Sequence, residues 1–308
     1  MKVGEQVWFD GQLTKIENIH LSILSHSLHY GSAIFEGIRF YPTEEGPAVF
    51  RLYDHLVRLQ HSAKAFQFRL GYSLEVLEEA VLQVIRASDI AEGYIRIIGF
   101  YGDGDMELHP TKASQHLAII VWPWAPRMGT SSIKVKISPF MKTPPQSTVL
   151  SAKLSGHYAN SILARQDARR TGYHEALLLD MKGNISEASG ANFFGVKDGQ
   201  LFTPPEANTF PGITRESVIA LAKELKIPLK ITAIPPTQLQ EFDEAFLTGT
   251  AMEVISIEQV DDIVIRQKIG PITKKLKNAY SLAVKGRNSK SLNWLTYVEA
   301  ADEAMSHR

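Results

Sequence analysis

Cysteine is absent from this chain, which excludes disulfides, thiolate metal sites and a cysteine nucleophile. Neither sign of charge is in excess: Lys plus Arg and Asp plus Glu number 33 each, so there is no electrostatic footprint for nucleic acid or an anionic membrane. No apolar run approaches the roughly 20 residues of a membrane span. The start, Met1-Lys-Val-Gly-Glu-Gln6, lacks the apolar stretch of a secretion signal. A Gly-x-Gly-x-x-Gly unit is missing, so no dinucleotide is expected, and there is neither an internal repeat nor a low-complexity segment. His26 and His29 lie close together, but no third ligand of suitable spacing stands near, and no metal is expected. The expectation left standing is a soluble, cytoplasmic protein acting on small molecules, with no nucleic-acid or membrane partner.

With 308 residues, 44% apolar and 21% charged, the chain is long enough for two domains with sizeable cores. Leu56, Leu59, Ala63 and Phe66 mark one face of a helix over about 53–66, and Ser73 caps a second with Leu77, Val81, Val84 and Ile85 inward. Tyr94 to Tyr101 reads as a strand on which Tyr94 and Arg96 share a side. The polar, small-residue run 127–132 is the candidate linker between an N-terminal domain, 1–126, and a C-terminal domain, 133–308. Beyond it, helical spacing runs from Leu154 to about Thr171, and short strands alternate with turns, unlike a doubly wound sheet. An amphipathic helix carrying Val218, Leu221, Ala222 and Leu225 follows Pro211-Gly-Ile-Thr214, and a helix start is a ready phosphate site. The tail after Gly286 includes Trp294, Leu295 and Tyr297 and is expected to dock.

The chemistry concentrates in Ser151-Ala-Lys-Leu-Ser-Gly-His-Tyr158 and Ile185-Ser-Glu-Ala-Ser-Gly-Ala-Asn192. Lysine attacks a carbonyl only as the neutral amine, so its pKa has to be lowered by burial or nearby positive charge. Small neighbours at Ala152, Ser155 and Gly156 let a flat cofactor approach Lys153. A strand carboxylate such as Glu187 suits the ring nitrogen of a pyridine cofactor, where it keeps that nitrogen protonated. Alone, the first reads as a surface lysine and the second as a solvated glutamate; their order and context raise the pair.

These segments, with His29-Tyr-Gly31, Phe35-Glu-Gly-Ile-Arg39, Tyr94-Ile-Arg96, Arg169-Arg-Thr-Gly-Tyr-His-Glu-Ala-Leu-Leu-Leu-Asp180, Leu201-Phe-Thr-Pro-Pro205, Pro211-Gly-Ile-Thr214 and Thr248-Gly-Thr-Ala251, resemble the fold-type IV pyridoxal phosphate enzymes. Among them the branched-chain amino acid aminotransferases are the most similar, over about 7–286. The resemblance implies an α+β fold: a smaller N-terminal α/β domain and a larger C-terminal domain whose short strands form a pseudo-barrel. It implies transfer of the amino group from L-leucine, isoleucine or valine to 2-oxoglutarate, on pyridoxal 5'-phosphate. By that resemblance Lys153 is catalytic and bears the cofactor, Glu187 faces the ring nitrogen and Tyr158 the phenolic oxygen. Arg58, the backbone of Ile213 and Thr214, and Thr250 hold the phosphate. Phe35, Gly37, Tyr94, Arg96, Met106, Leu108, Trp124 and the backbone near Ala251 meet the substrate, and Tyr30 serves the pocket of a second subunit in a homodimer or higher homo-oligomer.

The chain departs from the family pattern at four places. Ile97 stands where proline is common, His157 where asparagine is, Ala191 where a glutamate lies near the substrate-recognising arginine, and Arg127 where an aromatic is frequent. These changes leave Arg96 differently held and the substrate range open. A D-amino acid or (R)-amine transaminase, and then an aminodeoxychorismate lyase, are the alternatives on the same lysine; the Phe-Glu-Gly-Ile-Arg and Tyr-Ile-Arg motifs oppose the first.

Overall fold

The computed structural model describes residues 3–124, 131–288 and 293–298, which fall into two compact units. The first holds the described residues up to 124, then 152–156 and those from 283 onward; the second holds 131–151 and 157–282.

The first unit is built on a seven-stranded antiparallel sheet in the order Leu295–Tyr297, Gly46–Phe50, Ala33–Thr43, Gly93–Tyr101, Gln115–Pro123, Gln6–Phe9, Gln12–Lys15. Helical spacing puts Leu52, Leu56, Leu59 and Ala63 on one side of the Leu52–Ala65 helix, and Leu77, Ala80, Val81 and Val84 on one side of Leu74–Arg86. Both stripes bury against Ile34, Ile38, Ile95, Ile97, Ile119 and Val121 of the sheet. Ser73 caps the second helix, its hydroxyl accepting from the Val76 N–H at 3.4 Å. Because a strand alternates its sides, Phe35, Gly37, Tyr94 and Arg96 occupy the face opposite this core, with Gly37 registered against Arg96 and Arg39 against Tyr94. Ile97 therefore belongs to the core face, fully buried, and its departure from proline is a matter of packing on the side away from Arg96.

Segment 152–156 joins this sheet. The Phe35 N–H donates to the Lys153 carbonyl at 3.1 Å, the Gly156 N–H to the Gly31 carbonyl at 3.1 Å, and Leu154 bridges Ile34. Gly31 has φ of 64°, and a Cβ there would lie 3.0 Å from the Gly156 Cα, so both the turn and the close approach demand glycine. The sequence expectation of a helix from Leu154 yields for the same reason: Ser155–His157 form one 3-10 turn and the α-helix runs Tyr158–Arg170. Leu295–Tyr297 likewise pairs with Gly46–Phe50, which gathers the late segment into the first unit. Of the expected linker, residues 127–130, with Arg127, lie outside the described residues; Ser132 already sits in a strand opposite Ser256.

The second unit carries a nine-stranded mixed sheet. Asn192–Lys197, Glu244–Gly249, Glu253–Val260, Ser132–Ile137, Glu175–Leu179 and Ile185–Ala188 follow one another, and the pair Asn192↔Glu187 returns the last strand to the first, closing a small barrel. Inside it pack Ile133, Val135, Leu177, Ile185, Phe193, Leu247 and Ile257. Ala191 belongs to the same core, so its position holds a buried methyl group. Among the described residues no helix is long and apolar enough to cross a membrane.

Truncation of Ile97 to Ala opens a cavity in the first unit's core and costs about 2–4 kcal/mol. Urea unfolding followed by circular dichroism checks this: the midpoint falls, whereas an unmoved midpoint would take Ile97 out of the core.

Candidate active site

Lys153 is held at its backbone from both sides. Its N–H donates to the Ser62 hydroxyl at 2.9 Å, its carbonyl accepts from Phe35, and the Ser62 hydroxyl donates to the Arg58 carbonyl at 2.9 Å. The ammonium lies 5.0 Å from the centroid of the Phe35 ring. One turn before Ser62, Arg58 sets its guanidinium in a fork on Glu36, Nε donating to Oε1 at 2.7 Å and Nη2 to Oε2 at 2.8 Å. His55 Nδ1 stands 2.8 Å from the same carboxylate.

This cluster sets protonation states. Burial alone would raise the Glu36 pKa, but the charge and hydrogen bonds of Arg58, with His55, outweigh it and hold the carboxyl well below the usual range. Burial pushes His55 down despite the hydrogen bond and charge of Glu36, which favours the neutral ring. For Lys153, burial and then the Arg58 charge lower the pKa to about 8, against a partial upward pull from Glu36. A buried amine near 8 is a nucleophile at neutral pH, which an exposed lysine is not.

Beside Lys153, the sheet face brings together Phe35, Gly37, Tyr94, Arg96 and Trp124. The Arg96 guanidinium lies 4.5 Å over the Phe35 ring and 5.7 Å from that of Tyr94, while its Nε is buried without a hydrogen-bond partner. Tyr94 stacks on Trp122 at 5.0 Å and meets Trp124 at 5.4 Å. A Cβ on Gly37 would fall 1.8 Å from the Tyr94 hydroxyl, so glycine is what admits that ring. Tyr30 and Met106 meet elsewhere, both exposed, the Tyr30 hydroxyl donating to the Met106 carbonyl at 3.2 Å, and Leu108 is 85% accessible.

In the second unit, Glu187 is buried in strand Ile185–Ala188. Its Oε2 accepts from Asn192 Nδ2 and from the Phe210 N–H, each at 2.9 Å, and its Oε1 forms an ion pair with Lys142. Asn192 also donates to the Phe210 carbonyl at 2.9 Å, and its Oδ1 lies 2.0 Å from where a Gly212 Cβ would be. Gly212 thus brings the chain close to Asn192 and starts the Ile213–Glu224 helix without a side-chain cap. Ile213 and Thr214 open its first turn, where N–H groups have no partner within a helix. Thr248 buries a hydroxyl with no hydrogen-bond partner; Thr250 and Ala251 follow in the turn after strand Glu244–Gly249. Tyr158 begins its helix, and His157 before it turns its ring to the Thr148 hydroxyl.

The Amino-transferase class IV family matches residues 33–260. The branched-chain-amino-acid aminotransferase of Escherichia coli K12 is 37% identical over 304 residues, 96% of this chain and 98% of its own length. The chain belongs to the class IV aminotransferases. Among solved structures, the T.th. branched-chain amino acid aminotransferase complexed with N-(5'-phosphopyridoxyl)-L-glutamate superposes with a TM-score of 0.93 at 36% identity, covering 96% of this chain and 99% of that one. The T.th. enzyme complexed with 4-methylvaleric acid gives 0.92 at 36% identity, over the same 96% and 99%.

Within this class IV aminotransferase several site residues escaped sequence reasoning. Glu36 had a usable signal, a carboxylate flanked by Phe35 and Gly37 on a strand that is otherwise mostly apolar, which demands a cation if it is buried. Asn192 was visible only as a member of a motif. Ser62 and Lys142 carried none: one is a small residue on a helix, the other stands in an irregular stretch 45 residues before its partner Glu187.

The amine of Lys153 fixes a pH dependence for the class IV aminotransferase stripped of cofactor. With Lys153 as the amine that takes up pyridoxal phosphate, the rate of combination, followed by absorbance at ~400 nm, rises roughly tenfold per pH unit and levels off above about 8. Arg58→Met moves the bend upward; a wild-type bend near the ordinary 10.5 would deny the effect of burial and Arg58. The same depressed pKa makes stability rise with pH between about 8 and 10.5, where the unfolded lysine holds its proton and the folded one does not.

Proposed function

We infer that this chain is a branched-chain amino acid aminotransferase that uses pyridoxal 5'-phosphate to pass the amino group of L-leucine, isoleucine or valine to 2-oxoglutarate. The single observation that carries this is the buried Lys153, brought to about 8, beside an aromatic face that holds one arginine. The donors fit the cofactor group by group. An amine suits its aldehyde, the positive charge of Arg58, held in place on Glu36, and the first turn of Ile213–Glu224 suit its phosphate, and the Glu187 carboxylate suits its ring nitrogen. The unpartnered Thr248 hydroxyl lies two residues from Thr250, to which the phosphate contact is assigned. Tyr158 serves the phenolic oxygen.

Bound pyridoxal phosphate supplies an electron-withdrawing ring that stabilises negative charge at the substrate's α carbon. Lys153 Nζ takes the proton from that carbon and delivers it to the cofactor's C4' carbon, as general base and then acid. Phe35, Tyr94 and Trp124 line an apolar place for a branched side chain, with Gly37 making room, and Arg96 receives the side-chain carboxylate of glutamate. Backbone near Ala251 faces the α-carboxylate. The two T.th. complexes, one with an apolar branched acid and one with a glutamate adduct, support such a double demand on one pocket. Synthesis of branched amino acids in the cytoplasm is the setting this activity implies.

A second copy of the chain is part of the same proposal. Leu21, Ile23, Leu24, Leu28 and Tyr30 are exposed, and an apolar cavity of about 450 Å³ opens among Leu21, Leu28, Val7, Phe9, Ile98 and Phe100. An apolar surface of this kind in one unit is a contact face. In the homodimer it brings Tyr30, with Met106 and Leu108, to the neighbour's pocket.

Two measurements test these statements. In single turnovers the lysine-bound absorbance near ~400 nm is lost on adding L-leucine and restored by 2-oxoglutarate, while D-alanine and (R)-1-phenylethylamine leave it unchanged. Lys153→Ala lowers transamination by more than about a thousandfold; conversion of the D-substrate or the amine would overturn the pocket assignment. Sedimentation shows a dimer or larger that Leu28→Asp drives toward monomer. A fully active wild-type monomer would remove the second copy.

A further inference from the structure

Glu187 is the carboxylate assigned above to the cofactor's ring nitrogen, and its two oxygens are not alike. Oε2 accepts from Asn192 Nδ2 and from the Phe210 N–H, each at 2.9 Å, which occupies both lone-pair directions of that oxygen. Oε1 carries the Lys142 ammonium. The lysine is not a passing surface contact. Its N–H donates to the Leu179 carbonyl at 2.8 Å, and the preceding Met141 carbonyl accepts from Asn160 Nδ2 at 2.9 Å. Its side chain is 18% exposed and that of Glu187 6%.

We propose that Lys142 is a positioning residue of this site: it holds Oε1 of Glu187, shares that oxygen with the cofactor's ring nitrogen, and so sets how firmly that nitrogen keeps its proton. The inference rests on the assignment of Glu187 to the ring nitrogen made above. With Oε2 saturated, a protonated ring nitrogen has only Oε1 to donate to, beside a cation already there. Two positive charges on one buried oxygen repel, so Lys142 weakens the protonated ring relative to a site without it. In the cofactor-free protein the same lysine compensates a carboxylate that would otherwise be buried with neutral donors alone. Lys142 therefore competes with the cofactor for Glu187 and lowers the cost of its absence.

The test is the nitrogen-15 resonance of ring-labelled pyridoxal phosphate bound to the enzyme, with cofactor affinity from equilibrium dialysis. In Lys142→Met the resonance moves toward the fully protonated position, and the cofactor binds roughly five- to tenfold tighter. Lys142→Gln, which keeps a donor but not the charge, gives the same shift and covers a Met variant that fails to fold. Lys142→Arg stays with the wild type. A wild-type resonance and affinity in the Gln variant overturn the role of Lys142. Failure of the wild type to bind the cofactor or to react with L-leucine overturns the functional assignment as well, so the two failures are told apart.

Discussion

A fully buried carboxylate in the middle of an apolar strand is the constraint from which the first unit's chemistry follows. Glu36 can be ionised there only because Arg58 meets it with a two-pronged fork and His55 adds a third group. Removing either Arg58 or Glu36 alone would strand a buried charge, which is far costlier than the net worth of the pair. The fork fixes the plane of the guanidinium, and its positive charge then acts on Lys153 together with burial. Ser62, one turn on, accepts from the Lys153 N–H and donates to the Arg58 carbonyl, so one helix holds both the cation and the backbone of the amine it perturbs. The charge that perturbs the amine and the hydrogen bond that holds its backbone come from the same fourteen-residue element, Leu52–Ala65.

The pleat of the sheet then separates stability from chemistry. Along Ala33–Thr43 and Gly93–Tyr101, one set of alternate residues packs under the helices and the other carries Phe35, Gly37, Tyr94 and Arg96. A slip of one residue in register would exchange the two sets, so the apolar core is what guarantees the site's face. In the second unit closure has the comparable part. The register pair Asn192↔Glu187 completes the barrel, and the same two side chains are joined at 2.9 Å. The carboxylate thus sits where the barrel's own hydrogen bonding holds it still.

Much of this was legible in the sequence because it is local. The heptad-like stripe of Leu56, Leu59 and Ala63, the cap at Ser73 and the alternation around Tyr94 each depend on neighbours within a turn or a strand. Lys153 and Glu187 were legible as residue types in small-residue settings. What was hidden depends on distance along the chain. Glu36 and Arg58 are 22 residues apart, and Lys142 and Glu187 meet across 45, separations no periodicity encodes. The segment 152–156 read as a helix start because Leu154 fits helical spacing, but its backbone hydrogen bonds go to Gly31 and Phe35, which only tertiary structure can reveal. Two of the departures became ordinary packing: Ile97 fills a core on the far side of its strand from Arg96, and Ala191 is a small core residue.

Under the function proposed above, Arg96 would let one surface meet an apolar and an anionic side chain. Its guanidinium rests on the faces of Phe35 and Tyr94, at 4.5 and 5.7 Å from their centroids. Aromatic faces attract a cation without supplying the acceptor oxygens that would neutralise its donors. The planar guanidinium can stay stacked while its edge donates, which an ammonium cannot do. With an apolar side chain nearby, the stacked arrangement satisfies the charge in part and presents hydrocarbon and ring surface. With a carboxylate nearby, the edge provides a strong, directional pair whose Nε has no other hydrogen bond to surrender. Tyr94 is itself pinned by Trp122 and Trp124, and by the missing side chain of Gly37. The stack on which Arg96 lies is therefore held on several sides, and under the function proposed above the tolerance of two unlike substrates would arise from the face and the edge of one guanidinium rather than from a pliable pocket.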